Sequence, residues 1–119
     1  MIIQDKSKRF AVRIIRFYNY LKETRNQTLG RQILRSGTAI GANIAESANA
    51  QSNKDFLSKI NIALKECSET KYWLEILFES ETIDKNSFQS LYDDCVELEK
   101  LLSSSVKTCL LYTSDAADD

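Results

Sequence analysis

Six basic side chains recur at helical spacing in the first third of the chain, and they are the residues best suited to binding chemistry. They are Lys6, Arg9, Arg13, Arg16, Arg31 and Arg35. Cations on adjacent helices can contact phosphates, and each such contact adds affinity that falls as the salt concentration rises. The sequence therefore permits a nucleic-acid interface.

The charge distribution leaves a second explanation of these cations open. Residues 1–50 carry nine Lys and Arg against three Asp and Glu, whereas residues 51–119 carry seven against fourteen. An up-down helical bundle would place the basic half beside the acidic half and pair the two within one chain. Either an anionic partner or internal pairing accounts for the asymmetry.

Side chains for catalysis are scarce. The chain has no histidine, which excludes Ser-His and Cys-His nucleophile pairs within one chain. Cys67 and Cys95 fall on core positions of predicted helices, which favours buried, inert thiols. The glycines Gly30, Gly37 and Gly41 match neither the P-loop nor the dinucleotide-binding pattern.

A group of acids on the third and fourth predicted helices suggests a carboxylate metal centre as one interpretation. These acids are Glu66, Glu69, Asp93, Asp94 and Glu97. Di-iron bundles instead use Glu-x-x-His motifs that project inward, and these acids lie off the apolar seams. We therefore expect a solvated or intersubunit face, with no catalytic residue, no metal and no cofactor. The protein is predicted not to be an enzyme.

Composition indicates one helical domain. The chain has 119 residues, no proline and three glycines, so signals for strands and turns are few. Its three cysteines form no C-x-x-C motif, which favours reduced thiols. There is no apolar window of membrane-spanning length and no signal-peptide core near the start. We expect a cytoplasmic protein that does not enter a membrane.

Apolar side chains at steps of three and four predict four helices. The first, about 5–22, has the seam Phe10, Ile14, Phe17 and Leu21. Three further side chains widen this seam to one side: Ala11, Ile15 and Tyr18. The third begins after a Ser52 cap, and the fourth after an Asp84 cap. Short connections between these helices predict an all-α, antiparallel up-down-up-down four-helix bundle over residues 1–108. Residues 109–119 break the pattern and are expected to form an irregular tail, consistent with a non-native scar.

The second helix, about 28–48, is unusual because it contains Gly37 and Gly41 among many small side chains. Each interior glycine costs about 0.5–1 kcal/mol relative to alanine, so we expect both to permit close approach of a neighbouring helix. Asn43 and Glu46 share one face and are expected to bond a neighbouring helix or subunit. On the third helix, an outer apolar face predicts a deep position or an intersubunit contact; its members are Ile62, Trp73 and Ile76.

Four segments of helices two and three closely resemble the bacterial four-helix bundle protein family. They are QILRSGTAIGANI at 32–44, AQS at 50–52, IALKE at 62–66 and ETKYWL at 69–74. That family includes proteins encoded in intervening sequences of large-subunit ribosomal RNA genes. It is also similar to accessory proteins of reverse transcriptases in diversity-generating retroelements.

The resemblance covers about residues 5–108 and implies a barrel-like homopentamer of four-helix bundles. For the accessory branch it also implies binding of nucleic acid and of a reverse transcriptase. The helix-two signature of the family is matched here by Arg35, Ser36, Gly37, Gly41, Asn43, Ile44 and Glu46. The sequence departs from the family at Ala45, Ser47, Cys67 and Ser68, and this chain is near neutral whereas the accessory branch is strongly basic.

The leading hypothesis is a non-enzymatic, homo-oligomeric adaptor that binds structured RNA, DNA or nucleoprotein through the six cations. The alternative is a purely structural or protein-interaction module that uses the outer face of the third helix. The two differ in whether binding depends on salt.

Overall fold

The computed structural model describes residues 2–24 and 26–116, with side chains described through residue 111. Four helices account for nearly all of this: α1 (Ile2–Leu21), α2 (Gln27–Ser47), α3 (Asn53–Glu79) and α4 (Lys85–Ala116). Each helix packs against its neighbours in sequence, and α1 also meets α4 along the smallest of the four contacts. The short connections and this cyclic order confirm the all-α, up-down-up-down four-helix bundle. In the described part of the chain, no helix is long and apolar enough to cross a membrane.

The buried core follows the predicted seams. One residue from each helix illustrates this: Ile14, Ile40, Leu74 and Leu102 are fully buried. The buried side chains of a helix recur at steps of three and four because residues at that spacing share one helix face. Phe17, Phe56 and Phe88 are partly buried and pack at its margins. The predicted register of α1, α3 and α4 is therefore the register found.

α1 and α2 approach each other closely at two glycines of α2. A Cβ atom built on Gly37 would lie 2.8 Å from Ile14 Cγ1 and 2.9 Å from Ile14 Cγ2, which is too close for real side chains. At Gly41 the added atom would lie 3.3 Å from the backbone oxygen of Ser7. The missing side chains thus bring the two backbones together, which offsets part of the helix-propensity cost of glycine.

Capping residues define where the helices begin and end. Ser52 accepts a hydrogen bond from the Asp55 amide at 3.0 Å, and Asp84 accepts one from the Ser87 amide at 2.6 Å. After α3, Glu81 has a positive φ of 61°. The amides of Glu81 and Thr82 donate back to the carbonyl oxygens of Phe78 and Leu77 at 3.0 and 2.9 Å. These two bonds satisfy carbonyls that the end of the helix leaves unpaired.

The fourth helix is longer than the sequence predicted. It continues to Ala116, so residues 109–116 are helical where an irregular tail was expected, and residues 117–119 lie outside the described residues. The seam continues beyond Leu102 because Val106 packs on the core and Cys109 is buried near Asn53. The expectation that the tail is a non-native scar stays a prediction.

A buried hydroxyl pair joins α2 to α3 within this core. Ser36 Oγ and Thr70 Oγ1 lie 2.8 Å apart and both residues are fully buried. Thr70 Oγ1 also lies 2.8 Å from the carbonyl oxygen of Glu66, to which it can donate. Each hydroxyl therefore has a partner, as burial of polar groups requires.

We predict that Thr70→Val lowers the free energy of unfolding by about 1–2 kcal/mol, because it leaves the Ser36 hydroxyl poorly satisfied in the core. The double variant Ser36→Ala/Thr70→Val should cost less than Thr70→Val alone, since it removes both polar groups together. Urea unfolding followed by circular dichroism measures both. A double variant that loses as much free energy of unfolding as Thr70→Val alone, or more, would contradict the assignment.

Candidate nucleic-acid interface

Two cations of α1 are held by acids of α4. Lys6 Nζ lies 2.9 Å from Glu97 Oε1. One guanidinium nitrogen of Arg13 forms an ion pair with Asp94, and the other donates to Ser90 Oγ at 2.9 Å. Spacing by seven residues places Lys6 and Arg13 two turns apart on one side of α1, and α4 runs beside that side. These cations are therefore part of the bundle's own packing.

Arg35 is held in the same way between α2 and α3. Its guanidinium lies 3.2 Å from Glu66 Oε2 and also forms an ion pair with Glu69. Glu69 in turn accepts a hydrogen bond from the Trp73 indole N–H at 3.0 Å. A guanidinium shared by two carboxylates is strongly oriented. Arg35 is consequently a poor candidate for contact with phosphate.

The other three predicted cations remain available. Arg9, Arg16 and Arg31 are exposed, and they form no ion pair with the side chains that the structure describes, those of residues 2–24 and 26–111. Arg9 lies beside the pairs made by Lys6 and Arg13, in a shallow recess that also contains Asp94 and Glu97. Half of the predicted set thus faces solvent on α1 and on the first turns of α2, and internal pairing accounts for the other half.

Some of the residues predicted for helix packing contact another helix of the bundle, and others do not. Gly37 and Gly41 face α1, as described above. Asn43 donates to the Ala39 carbonyl oxygen of its own helix at 2.8 Å, so the described contacts do not place it on a neighbouring element. Glu46 lies 3.5 Å from Lys59 Nζ of α3. This contact joins the end of α2 to the beginning of α3.

The outer face predicted for α3 is only partly exposed. Ile62 is 37 % exposed, whereas Trp73 and Ile76 are half-buried. Trp73 also packs edge-on against Tyr72, with ring centroids 5.1 Å apart. An extensive apolar face for a partner is therefore not found on this helix.

Exposed apolar side chains are instead concentrated on α1. Half of the large apolar side chains exposed in the described part of the chain belong to this helix, namely Ile2, Val12, Ile15 and Tyr20. The prediction that Ile15 widens the buried seam is wrong, since its side chain is 44 % exposed. The position of Ile15, one residue after the buried Ile14, turns it about 100° away from the core. The sequence contained a signal for this exposed apolar surface, because Val12 and Ile15 are apolar but lie off the seam.

Groups suited to catalysis or metal binding are not brought together in the described residues. No cluster of three or more His, Cys, Asp or Glu side chains able to hold a metal occurs there. Glu66 and Glu69 are both engaged by Arg35. Cys67 and Cys95 are fully buried, with Cys95 Sγ 3.4 Å from the Cys67 carbonyl oxygen.

The displaced pKa values in the bundle all move away from neutrality. The hydrogen bond with Cys95, followed by burial, raises the pKa of Cys67. The hydrogen bond with Glu99 raises the pKa of Lys71, and the Ser87 amide lowers the pKa of Asp84. Burial, followed by the hydrogen bond with Glu75, raises the pKa of Tyr92. These four groups keep their usual protonation states near pH 7, which does not suit them to proton transfer.

Comparison with known proteins gives two matches of note. Residues 1–104 match the family model of the 23S rRNA-intervening sequence protein. Among solved structures, a 1.70 Å crystal structure from Bacteroides thetaiotaomicron VPI-5482 is 49 % identical, with a TM-score of 0.86. The match covers 88 % of this chain and 98 % of that chain, which is described as a protein with unknown function from the S23 ribosomal protein family. None of the curated proteins searched matches this chain.

We predict that Arg13→Glu lowers the free energy of unfolding by about 1 kcal/mol, because it replaces an ion pair with repulsion against Asp94. Arg16→Glu should change that energy by less than about 0.5 kcal/mol, since Arg16 forms no ion pair with the described residues. Adding Asp94→Arg to Arg13→Glu should recover most of the loss. Chemical unfolding measures both values. If Arg13→Glu and Arg16→Glu lower the free energy of unfolding equally, the division into paired and unpaired cations is wrong.

Proposed function

This chain belongs to the 23S rRNA-intervening sequence protein family, and from that premise we propose that it is a non-enzymatic, homo-oligomeric adaptor that binds nucleic acid or nucleoprotein. The observation that carries the proposal is the exposed set Arg9, Arg16 and Arg31, whose charges the described ion pairs do not neutralise. The described residues also bring together no cluster of side chains able to hold a metal, so binding suits them better than metal-dependent catalysis.

The three arginines are suited to contact with phosphate. A guanidinium can donate two parallel hydrogen bonds to a phosphate group. Arg9 and Arg16 lie seven residues apart, which places them about 10 Å apart along one side of a helix. Phosphates on one strand of a duplex are separated by several ångströms, so two such side chains can follow a backbone. This arrangement supports binding of a structured nucleic acid through its phosphate backbone, a contact that does not itself read the base sequence.

Assembly would enlarge this small footprint. Three cations per chain give a modest salt-dependent affinity, whereas a homopentamer would present five copies of the set to one ligand. In this proposal the partners are further copies of the chain, structured RNA or DNA, and a reverse transcriptase where one is encoded nearby, and the location is the cytoplasm. Light scattering of the purified protein tests the pentamer directly.

We predict salt-sensitive binding of a structured RNA hairpin that depends on α1. Fluorescence anisotropy at about 50 and about 200 mM salt should show weaker binding at the higher concentration. Arg9→Glu/Arg16→Glu should weaken binding at low salt and reduce the slope of log affinity against log salt by about 2 for each subunit that contacts the RNA, because each such subunit loses two phosphate contacts.

The matched control is Lys54→Glu/Lys65→Glu, which makes the same change in net charge at two exposed positions of α3. Its binding should change much less than that of the α1 variant. Binding that is absent at both salt concentrations, or that the two variants weaken equally, would overturn the proposal. Light scattering of each variant at the assay concentration shows whether the assembly has been preserved.

A further inference from the structure

We propose that the solvent face of α1 is a docking surface for an acidic amphipathic helix of a different protein. We call this surface the outer seam and define it as Lys8, Val12, Ile15 and Asn19. All four side chains are exposed, and their steps of four, three and four are those by which one helix packs along another. The proposal adds a protein partner to the nucleic-acid ligand proposed above.

The centre of the outer seam is apolar where solvent exposure alone would favour polar side chains. Val12 and Ile15 are 43 % and 44 % exposed. They are one turn apart on the face opposite the buried Ile14 and Leu21, so α1 has apolar side chains on two sides. Ile2 and Tyr20 are exposed near the two ends of the helix. Contiguous exposed apolar surface rimmed by polar groups is typical of a protein-protein contact.

The rim of the outer seam determines the charge of the partner. Lys8, Arg9 and Arg16 are exposed and form no ion pair with the described side chains. They outnumber the one exposed acid beside them, Asp5, which shares a recess with Lys8, Arg9 and Val12. A helix lying along Val12 and Ile15 would bring its flanking positions next to these cations, as the e and g positions of a coiled coil do. Acidic side chains at those positions would gain favourable charge pairs, whereas basic ones would be repelled. The surface therefore fits a helix with an apolar seam and acidic flanks.

Two copies of this chain do not pack favourably with their outer seams facing each other, because Arg9 and Arg16 of both copies would be brought together. A separate acidic helix avoids this repulsion.

A nucleic acid alone would not use the apolar centre. Phosphates gain nothing from contact with Val12 or Ile15, and base stacking requires aromatic or guanidinium planes. An RNA ligand would therefore depend on Arg9 and Arg16 but not on the two aliphatic side chains. A protein helix would depend on both sets, and this difference separates the two ligands in one experiment.

The test uses the full-length protein and two designed helical peptides of about three heptads each. Both carry Leu and Ile along one seam, and the flanking positions are Glu in one peptide and Lys in the other. Fluorescence anisotropy should show binding of the Glu peptide and none of the Lys peptide. Val12→Ser/Ile15→Ser should weaken binding of the Glu peptide by about tenfold or more, which corresponds to about 1.4 kcal/mol. Ile62→Ser/Tyr72→Ser on α3 is the matched control and should leave it unchanged.

The same variants separate this inference from the nucleic-acid proposal. Val12→Ser/Ile15→Ser should retain its circular dichroism spectrum and its affinity for the RNA hairpin. The inference is overturned if the Glu peptide does not bind, if the α3 control weakens binding as much, or if the serine variant loses RNA and peptide together. RNA binding that fails while the Glu peptide binds as described would overturn the nucleic-acid proposal alone.

Discussion

The contact between Gly37 and Ile14 is the constraint on which the rest of the structure depends. It allows α1 to lie against α2 at a separation that a methyl group on α2 would prevent, and it thereby sets the rotation of α1 about its own axis. With Phe10, Ile14 and Leu21 turned inward, the 3.6-residue period dictates which side chains point elsewhere. Lys6 and Arg13 turn towards α4, and Val12 and Arg16 turn towards solvent.

This rotation is what divides the basic half of the chain into two groups. Lys6, Arg13 and Arg35 form ion pairs within the bundle. These pairs join α1 to α4 and α2 to α3, so acids of the second half of the chain neutralise part of the excess positive charge of the first half. Partly exposed pairs of this kind add little stability, but they disfavour alternative packings in which like charges would meet. In the basic half of the chain, the exposed cations that form no ion pair with a described side chain are Lys8, Arg9, Arg16, Lys22 and Arg31. A chain with a net charge of −1 thus still exposes several cations on α1 and at the start of α2.

The sequence was sufficient for the helices and their buried faces but not for the choice of ion-pair partners. The steps of three and four at Phe10, Ile14 and Leu21 specify a face, because apolar burial is nearly proportional to area and averages over a whole helix. Ser52 and Asp84 could be assigned as caps because capping is a local interaction. The extension of α4 to Ala116 was not apparent, since Val106 and Cys109 add only two apolar positions to its seam.

The individual cations were harder to assign because spacing alone does not show which helix lies on either side. Arg9 and Arg13 are both basic and one turn apart, yet only Arg13 meets an acid of α4. Ile15 illustrates the same point. Its exposure is determined by the rotation of α1 about its own axis and not by the apolar character of its side chain. Side-chain partners depend on axial rotations of a few tens of degrees, which the hydrophobic pattern specifies less closely than it specifies the core.

The contact between Gly37 and Ile14 can be tested by a double-mutant cycle measured by urea unfolding. Gly37→Ala should lower the free energy of unfolding by about 1–2 kcal/mol when Ile14 is present, because overpacking outweighs the gain in helix propensity. The same change in an Ile14→Ala background should be neutral or stabilising, since the two nearest atoms, Cγ1 and Cγ2 of Ile14, are gone and only the Cβ atom at 3.3 Å remains. An equal cost of Gly37→Ala in the two backgrounds would contradict the close contact and, with it, the orientation of α1.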